Sequence, residues 1–232
     1  MALERRRSSA FFPTMPLLLL LMLSCSWWCG VVVVSARPSP SSSSSSSASV
    51  VSFIRSWCAG TEYPALCDAT LAPYAATVGS SPARLSWAAL TVTLGGARAA
   101  TAAMKAMATA AAGHHLTPVG AEAARDCVSM LGDAEDLLEQ AVDAMASLAQ
   151  QKGNAAAGSS SSGSRDVRFQ VDSVQTWASA ALTNDDMCVE GFKGEDAGGG
   201  GVLEAVRGHV AGVAHLTANA LGIVNAMAKQ IS

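Results

Sequence analysis

Aromatic side chains make up 5% of the 232 residues and charged ones 14%, and almost no stretch alternates apolar with polar residues in a β-branched or aromatic run. Strands draw on those residues and that period, so a sheet-rich fold is excluded. No CxxC pair and no His cluster stands near a cysteine, which argues against a structural zinc site. His209 and His215 are six apart, a spacing that does not stack two metal ligands on one helical face. His114 and His115 sit where a helix should end, as cations at a C-terminus do. The run Gly198–Gly201 lacks the preceding strand and the Lys-Ser or Lys-Thr of a phosphate loop. Serines crowd low-complexity tracts with no nucleophile elbow among them. There is no Asn-x-Ser or Asn-x-Thr acceptor. With a net charge of −3, nucleic acid is an unsuited partner. No cofactor or metal is implied.

What is present is apolar content, 50%, dominated by alanine and leucine. That composition favours helix throughout and suffices for one core. Arg5 to Arg7, an apolar run and the small residues Val34, Ser35 and Ala36 read as a secretory signal over residues 1–36. The alternative is an uncleaved membrane anchor, since Leu17 to Val34 approaches the length of a span; after cleavage no membrane association is expected. Losing three arginines and one glutamate with that segment takes the net charge from −3 to −5. Residues 37–49 are Ser- and Pro-rich and are expected to form a disordered leader, with order beginning near Val50 and one domain over 50–232.

Cleavage would also remove Cys25 and Cys29, leaving Cys58, Cys67, Cys127 and Cys188, an even set suited to disulfides in an oxidising compartment. Four longer helices are predicted: Pro82 to Ala112, Pro118 to Gln150, Asp166 to Leu182, and Val202 to Lys229. Ser81 is the expected N-cap of the first. Its inward face is read as Leu85, Ala88, Val92, Ala99, Ala103 and Ala106. In the second, Cys127, Leu131, Ala134, Leu138, Ala141, Met145 and Leu148 alternate steps of four and three. Val167, Val171, Val174, Ala178 and Ala181 do the same in the third, with Cys188 in an exit loop. The fourth turns Val206, Val210, Val213, Ala220, Val224 and Met227 inward.

Cys127 and Cys188 lie about equally far from the Gly/Ser linker 153–164. Residues equidistant from the connecting turn of an antiparallel pair lie side by side, so this pairing is selected, and Cys58 with Cys67 follows. Pro64 suits a first helical turn, and the second bond closes a short hairpin bearing Phe53, Ile54, Trp57, Tyr63, Leu66 and Leu71. The loop-entropy relation gives the short closure about 2.7 kcal/mol and the long one about 4 kcal/mol. The expected fold is all-α: an up-down-up-down four-helix bundle with an N-terminal helical hairpin and two disulfides. Trp57, Trp87 and Trp177 are read as core anchors. Asp133, Glu135 and Asp136 could be paired as acid and base, but carboxylates on one helix more often form a solvated face.

The blocks FIRSWCAGTEYPALCDATL, ARDCVSMLGDAEDLLEQAV, VQTWASAALTNDDMCVEGF and LTANALGIVNAM, in that order, resemble the plant invertase and pectin methylesterase inhibitor family. The resemblance implies the same bundle and the same cysteine pairing. Two positions depart from it: Leu131 where a Tyr is usual, and Met187 where a Thr often precedes the fourth cysteine. It implies a secreted inhibitor that covers the cleft of an enzyme in the cell wall space. Invertase inhibitors of the family carry a Pro-Lys-Phe element before the last helix; here Phe192 and Lys193 stand in the other order without the proline. Pectin methylesterase is therefore the expected partner, bound one-to-one, with acid invertase the alternative. The ending at Ser232 fits a free-standing inhibitor. Asp133, Asp136 and Glu139 are the expected contact residues, a negative patch that would steer a basic enzyme. A lipid- or ligand-carrying bundle is disfavoured, because the small residues of the first long helix favour close packing over a central cavity.

Overall fold

Steps of three and four along each long segment place its apolar side chains on one stripe, and burying four such stripes against one another makes the core. The computed structural model describes residues 43–110, 116–151, 161–197 and 200–231. The signal segment 1–36, the rest of the leader up to residue 42, His114 and His115, most of the linker and Gly198 lie outside the described residues. Helices α1 (Ser43–Cys58), α2 (Pro64–Leu71) and the single-turn α3 (Ala75–Val78) precede the long helices α4 (Pro82–Ala110), α5 (Pro118–Gln151), α6 (Ser161–Glu190) and α7 (Gly200–Ala228). Each long helix packs on its sequence neighbours, and α7 closes the ring on α4. No strand occurs among the described residues.

The inward set named for α5 is buried in full, and so is the one for α7. α7 is long and apolar enough to cross a membrane. Its Val206, Val210, Val213, Ala220, Val224 and Met227 are instead spent on the bundle core. In α4 the expected face holds at Leu85 and Ala88, and Val92 packs half-buried against the core, but it fails further along. Ala99 and Ala106 are exposed, while Thr93, Ala97, Ala100, Thr101 and Met104 are buried. Alanines surround this helix on every side, so apolarity alone does not mark its inner face. The two threonines qualify as core because each hydroxyl donates to a carbonyl one turn back: Thr93 to Ala89 at 2.9 Å and Thr101 to Ala97 at 3.0 Å. Ser81 caps α4 weakly, its Oγ accepting from the Arg84 N–H at 3.4 Å.

Three boundaries differ from expectation. α1 begins at Ser43, inside the leader, instead of near Val50. α6 begins at Ser161, within the supposed linker, and runs to Glu190, so Cys188 is helical and not in an exit loop. The polar run Thr183-Asn184-Asp185-Asp186 looks like a helix stop in isolation. It continues because its buried member, Asp185, is accommodated by α7 and because Cys188 is tied to α5.

Disulfides join Cys58 to Cys67 (Cα–Cα 5.5 Å) and Cys127 to Cys188 (4.4 Å), and all four cysteines are buried. The N-terminal hairpin docks on α4 and α7. Its clamp is the buried Asn219, which accepts from the Tyr63 N–H at 2.9 Å and donates to the Tyr63 carbonyl at 3.0 Å. The Tyr63 ring stacks on His215, centroids 3.9 Å apart.

At the other end of the bundle, the turn Glu195–Ala197 lies on the start of α5. The Thr117 hydroxyl donates to the Asp196 carbonyl and accepts from the Gly120 N–H at 3.0 Å, so one side chain both caps α5 and holds the turn. A Cβ on Gly120 would stand 2.3 Å from the Ala197 carbonyl oxygen. Backbone on both sides leaves no flexible atom to yield. Gly120→Ala is expected to cost about 1–3 kcal/mol, as overpacking does, and to raise hydrogen exchange in residues 116–124 and 192–197; unchanged exchange there would contradict the contact.

Candidate functional site

The hairpin covers the α4–α7 side of the bundle, which, among the described residues, leaves the outward face of α5 and α6 as the long uncovered surface. On α5 the positions that fall outward at 3.6 residues per turn include Glu122, Asp126, Asp133, Asp136 and Asp143, all exposed. Like charges repeating at three, four and seven residues repel one another modestly. Such a stripe is tolerated because water screens it, and it makes carboxylates the majority charge of this face, with Arg125 an exposed cation among them.

Asp133 and Asp136 belong to this stripe. Glu139 is also exposed, but two further steps of three place it about 120° round the helix from Asp133. There it forms an ion pair with Arg98 of α4. The structure thus brings together two of the three carboxylates named from the sequence and directs the third toward α4. Glu135 is half-buried on the α4 side, so the conceivable acid–base group of Asp133, Glu135 and Asp136 is split across the helix.

Exposed large apolar side chains mark the same face. Among the described residues these are Val119 (54% exposed), Phe169 (72%) and Met187 (49%), one on α5 and two on α6. Phe169, Thr176, Thr183 and Met187 recur at seven, seven and four residues, which places them along one outward line of α6 beside the acidic stripe. Isolated exposed hydrophobes are ordinary; their collection on a single helix pair points to an interaction surface. The sequence reading missed this set, because Val119 and Met187 look like ordinary periodic residues until the partner helices are known. Phe169 carried the clearest signal, an aromatic out of phase with the Val167-Val171-Val174 stripe.

Beneath Met187 a groove of about 290 Å³ runs along the Cys127–Cys188 disulfide between the start of α5 and the end of α6. The loop leading from there toward α7 carries no projecting aromatic in its described part. Phe192 is 1% exposed, and Lys193 is paired with Glu190. Inside the bundle, Asp185 is fully buried with Oδ2 at 3.1 Å from the Thr217 hydroxyl and Oδ1 without a partner among the described residues. Burial pushes its carboxyl up to about 7, opposed by the Thr217 hydrogen bond. It faces the interior, away from any substrate, and is a matter of stability. Among the described residues no three His, Cys, Asp or Glu side chains gather as a metal site.

A family model described as plant invertase/pectin methylesterase inhibitor matches residues 52–223. Similar proteins include a "21 kDa protein" of Daucus carota, 34% identical over 75% of this chain and 82% of the relative. "Pectinesterase inhibitor 9" of Arabidopsis thaliana is 35% identical over 78% of this chain and 82% of the relative. "Pectinesterase inhibitor 10" of the same plant is 34% identical over 75% of this chain, which spans about half (51%) of that relative's length.

Proposed function

The chain belongs to the plant invertase/pectin methylesterase inhibitor family, and from that premise we propose that it is a secreted inhibitor that binds a pectin methylesterase one-to-one and blocks its substrate cleft with the α5–α6 face. An inhibitor needs no catalytic group; it needs a surface ordered before docking, so that little entropy is lost on binding. The two disulfides and the closed ring of helices supply that order. Secretion is supported by the signal-like start and by cysteines used in pairs.

The observation that carries the choice of surface is the coincidence of the acidic stripe with the exposed Val119, Phe169 and Met187 on one helix pair. Apolar anchors supply affinity, while the carboxylates speed encounter with a basic cleft. The choice of pectin methylesterase over acid invertase is supported by the relatives named as pectinesterase inhibitors. It is also supported by the loop before α7, where Phe192 packs inward and has no side chain free to enter a sugar site.

Titration of the purified protein against pectin methylesterases and acid invertases tests this. The expected result is loss of ester hydrolysis with an endpoint of one inhibitor per enzyme and unchanged sucrose hydrolysis. Asp133→Lys/Asp136→Lys should slow association about tenfold at low salt, with the deficit shrinking as salt rises. Glu139→Lys should do less, since that carboxylate is already paired with Arg98. Suppression of invertase alone would replace this reading with its alternative.

A further inference from the structure

The groove beside the Cys127–Cys188 disulfide has two chemistries. Its walls are apolar: Val119, Ala123, Met130, Met187 and the disulfide itself. Its α5 edge carries Glu122 and Asp126, one helical turn apart, both exposed and both outside any ion pair among the described residues. The cation next to Asp126 in sequence, Arg125, has its Nε donating to the Ala121 carbonyl at 3.2 Å, and Lys193 is paired with Glu190. An apolar slot with two unneutralised carboxylates at its edge is complementary to a side chain that is aliphatic along its length and cationic at its tip.

We propose that this groove is the anchor slot for one lysine or arginine side chain of the inhibited enzyme, its methylenes against Met187 and Met130 and its charge between Glu122 and Asp126. The inference rests on the function proposed above and names the chemistry of one point of that contact. The volume lies at the foot of the ~300–1,000 Å³ range of small-molecule pockets, a size suited to a single long side chain. An apolar ligand would strip water from two carboxylates without replacing it, at a cost. An acidic polysaccharide, the substrate class of the enzyme, would be repelled by the same pair. A second copy of this chain would bring its own acidic stripe to the face. Methionine suits the role, since an unbranched thioether adapts to a shape it does not share. The site stands apart from Asp133 and Asp136: those carboxylates lie about two to four turns further along α5 and do not line this groove.

The test compares three variants of the full secreted protein against one pectin methylesterase by surface binding and inhibition: Glu122→Gln/Asp126→Asn, Met187→Glu, and Asp133→Lys/Asp136→Lys. All substituted positions are exposed, so folding, checked by thermal unfolding, should be unaffected. The two groove variants are expected to dissociate about 10- to 100-fold faster with little change in association rate, as losses at a desolvated anchor do. The stripe variant should change association instead. Alanine substitution of single lysines and arginines around the enzyme cleft should reveal one whose effect vanishes in the Glu122→Gln/Asp126→Asn background. Groove variants that bind like the native protein, while the native protein inhibits normally, would overturn the slot and leave the function standing. A native protein that leaves the esterase untouched would overturn both.

Discussion

Cys127→Ala/Cys188→Ala is expected to lower the thermal unfolding midpoint by about 10 °C and to weaken inhibition with it. The bond closes a loop of 61 residues, for which chain entropy in the unfolded state is worth about 4 kcal/mol. In a domain of this size each kcal/mol moves the midpoint by about 2–4 °C. The effect reaches function because the same bond pins the start of α5 to the end of α6 and so sets the spacing of the Glu122, Asp126 and Met187 surface. Removing the Cys58–Cys67 bond, which spans 9 residues, should cost less, about 2.7 kcal/mol, and should leave the α5–α6 face intact, since its hairpin sits on α4 and α7. Calorimetry of both variants decides the order; an equal or reversed ranking would mean that native-state packing outweighs loop length.

The second large effect is a dependence of stability on pH that resides in Asp185. Thr217 Oγ lies 3.1 Å from Asp185 Oδ2 and 2.9 Å from the Val213 carbonyl, yet its hydroxyl has one proton to give. A protonated Asp185 resolves the competition: its O–H donates to Thr217, which donates to Val213. An ionised Asp185 leaves one acceptor unserved and buries a charge next to Asp186. Burial outweighs the opposing Thr217 hydrogen bond, with Asp186 adding to it, so the folded-state pKa of about 7 stands above the unfolded value of about 3.9. The folded state binds the proton more tightly, so the contribution is complete below about pH 4 and is lost as pH rises toward 7. The full span is at most about 4 kcal/mol, at 1.36 kcal/mol per unit. Chemical unfolding from pH 4.5 to 8 should show stability falling across this window, and Asp185→Asn should flatten it. A slope that survives the substitution would assign the effect to another group.

How much was legible from residues alone differs from helix to helix. From Cys127 to Leu148 the inner face of α5 could be read, because its apolar stripe is set against acidic residues on the outer faces; the buried Gly120 and Ala124 before it were not named. α4 could not, since alanine occupies both sides and the buried threonines satisfy their hydroxyls locally, which makes their polarity a poor guide to burial. The end of α6 was placed too early because Asn and Asp favour termini in an isolated helix. There the disulfide and α7 override that preference. Of the named contact residues, Asp133 and Asp136 fall on the uncovered face, whereas Glu139 is shared with α4 through an ion pair that crosses 41 positions in sequence.

By itself the sequence determined the all-helical class, the pairing of four cysteines and the greater part of the inner faces of α5 and α7, and through the resemblance of four blocks it pointed to the family. The class rests on composition, the inner faces on spacing along one segment and the pairing on symmetry about one connection, and such information is local. Only the tertiary structure decided which side of the bundle the hairpin leaves bare, and that Val119, Met187, Glu122 and Asp126 surround one groove. It also decided that Phe192 points inward and that Asp185 and the Val213 carbonyl both meet the Thr217 hydroxyl. Those outcomes turn on the rotation of each helix about its axis relative to its neighbours, a quantity fixed by packing and by the crosslink between Cys127 and Cys188.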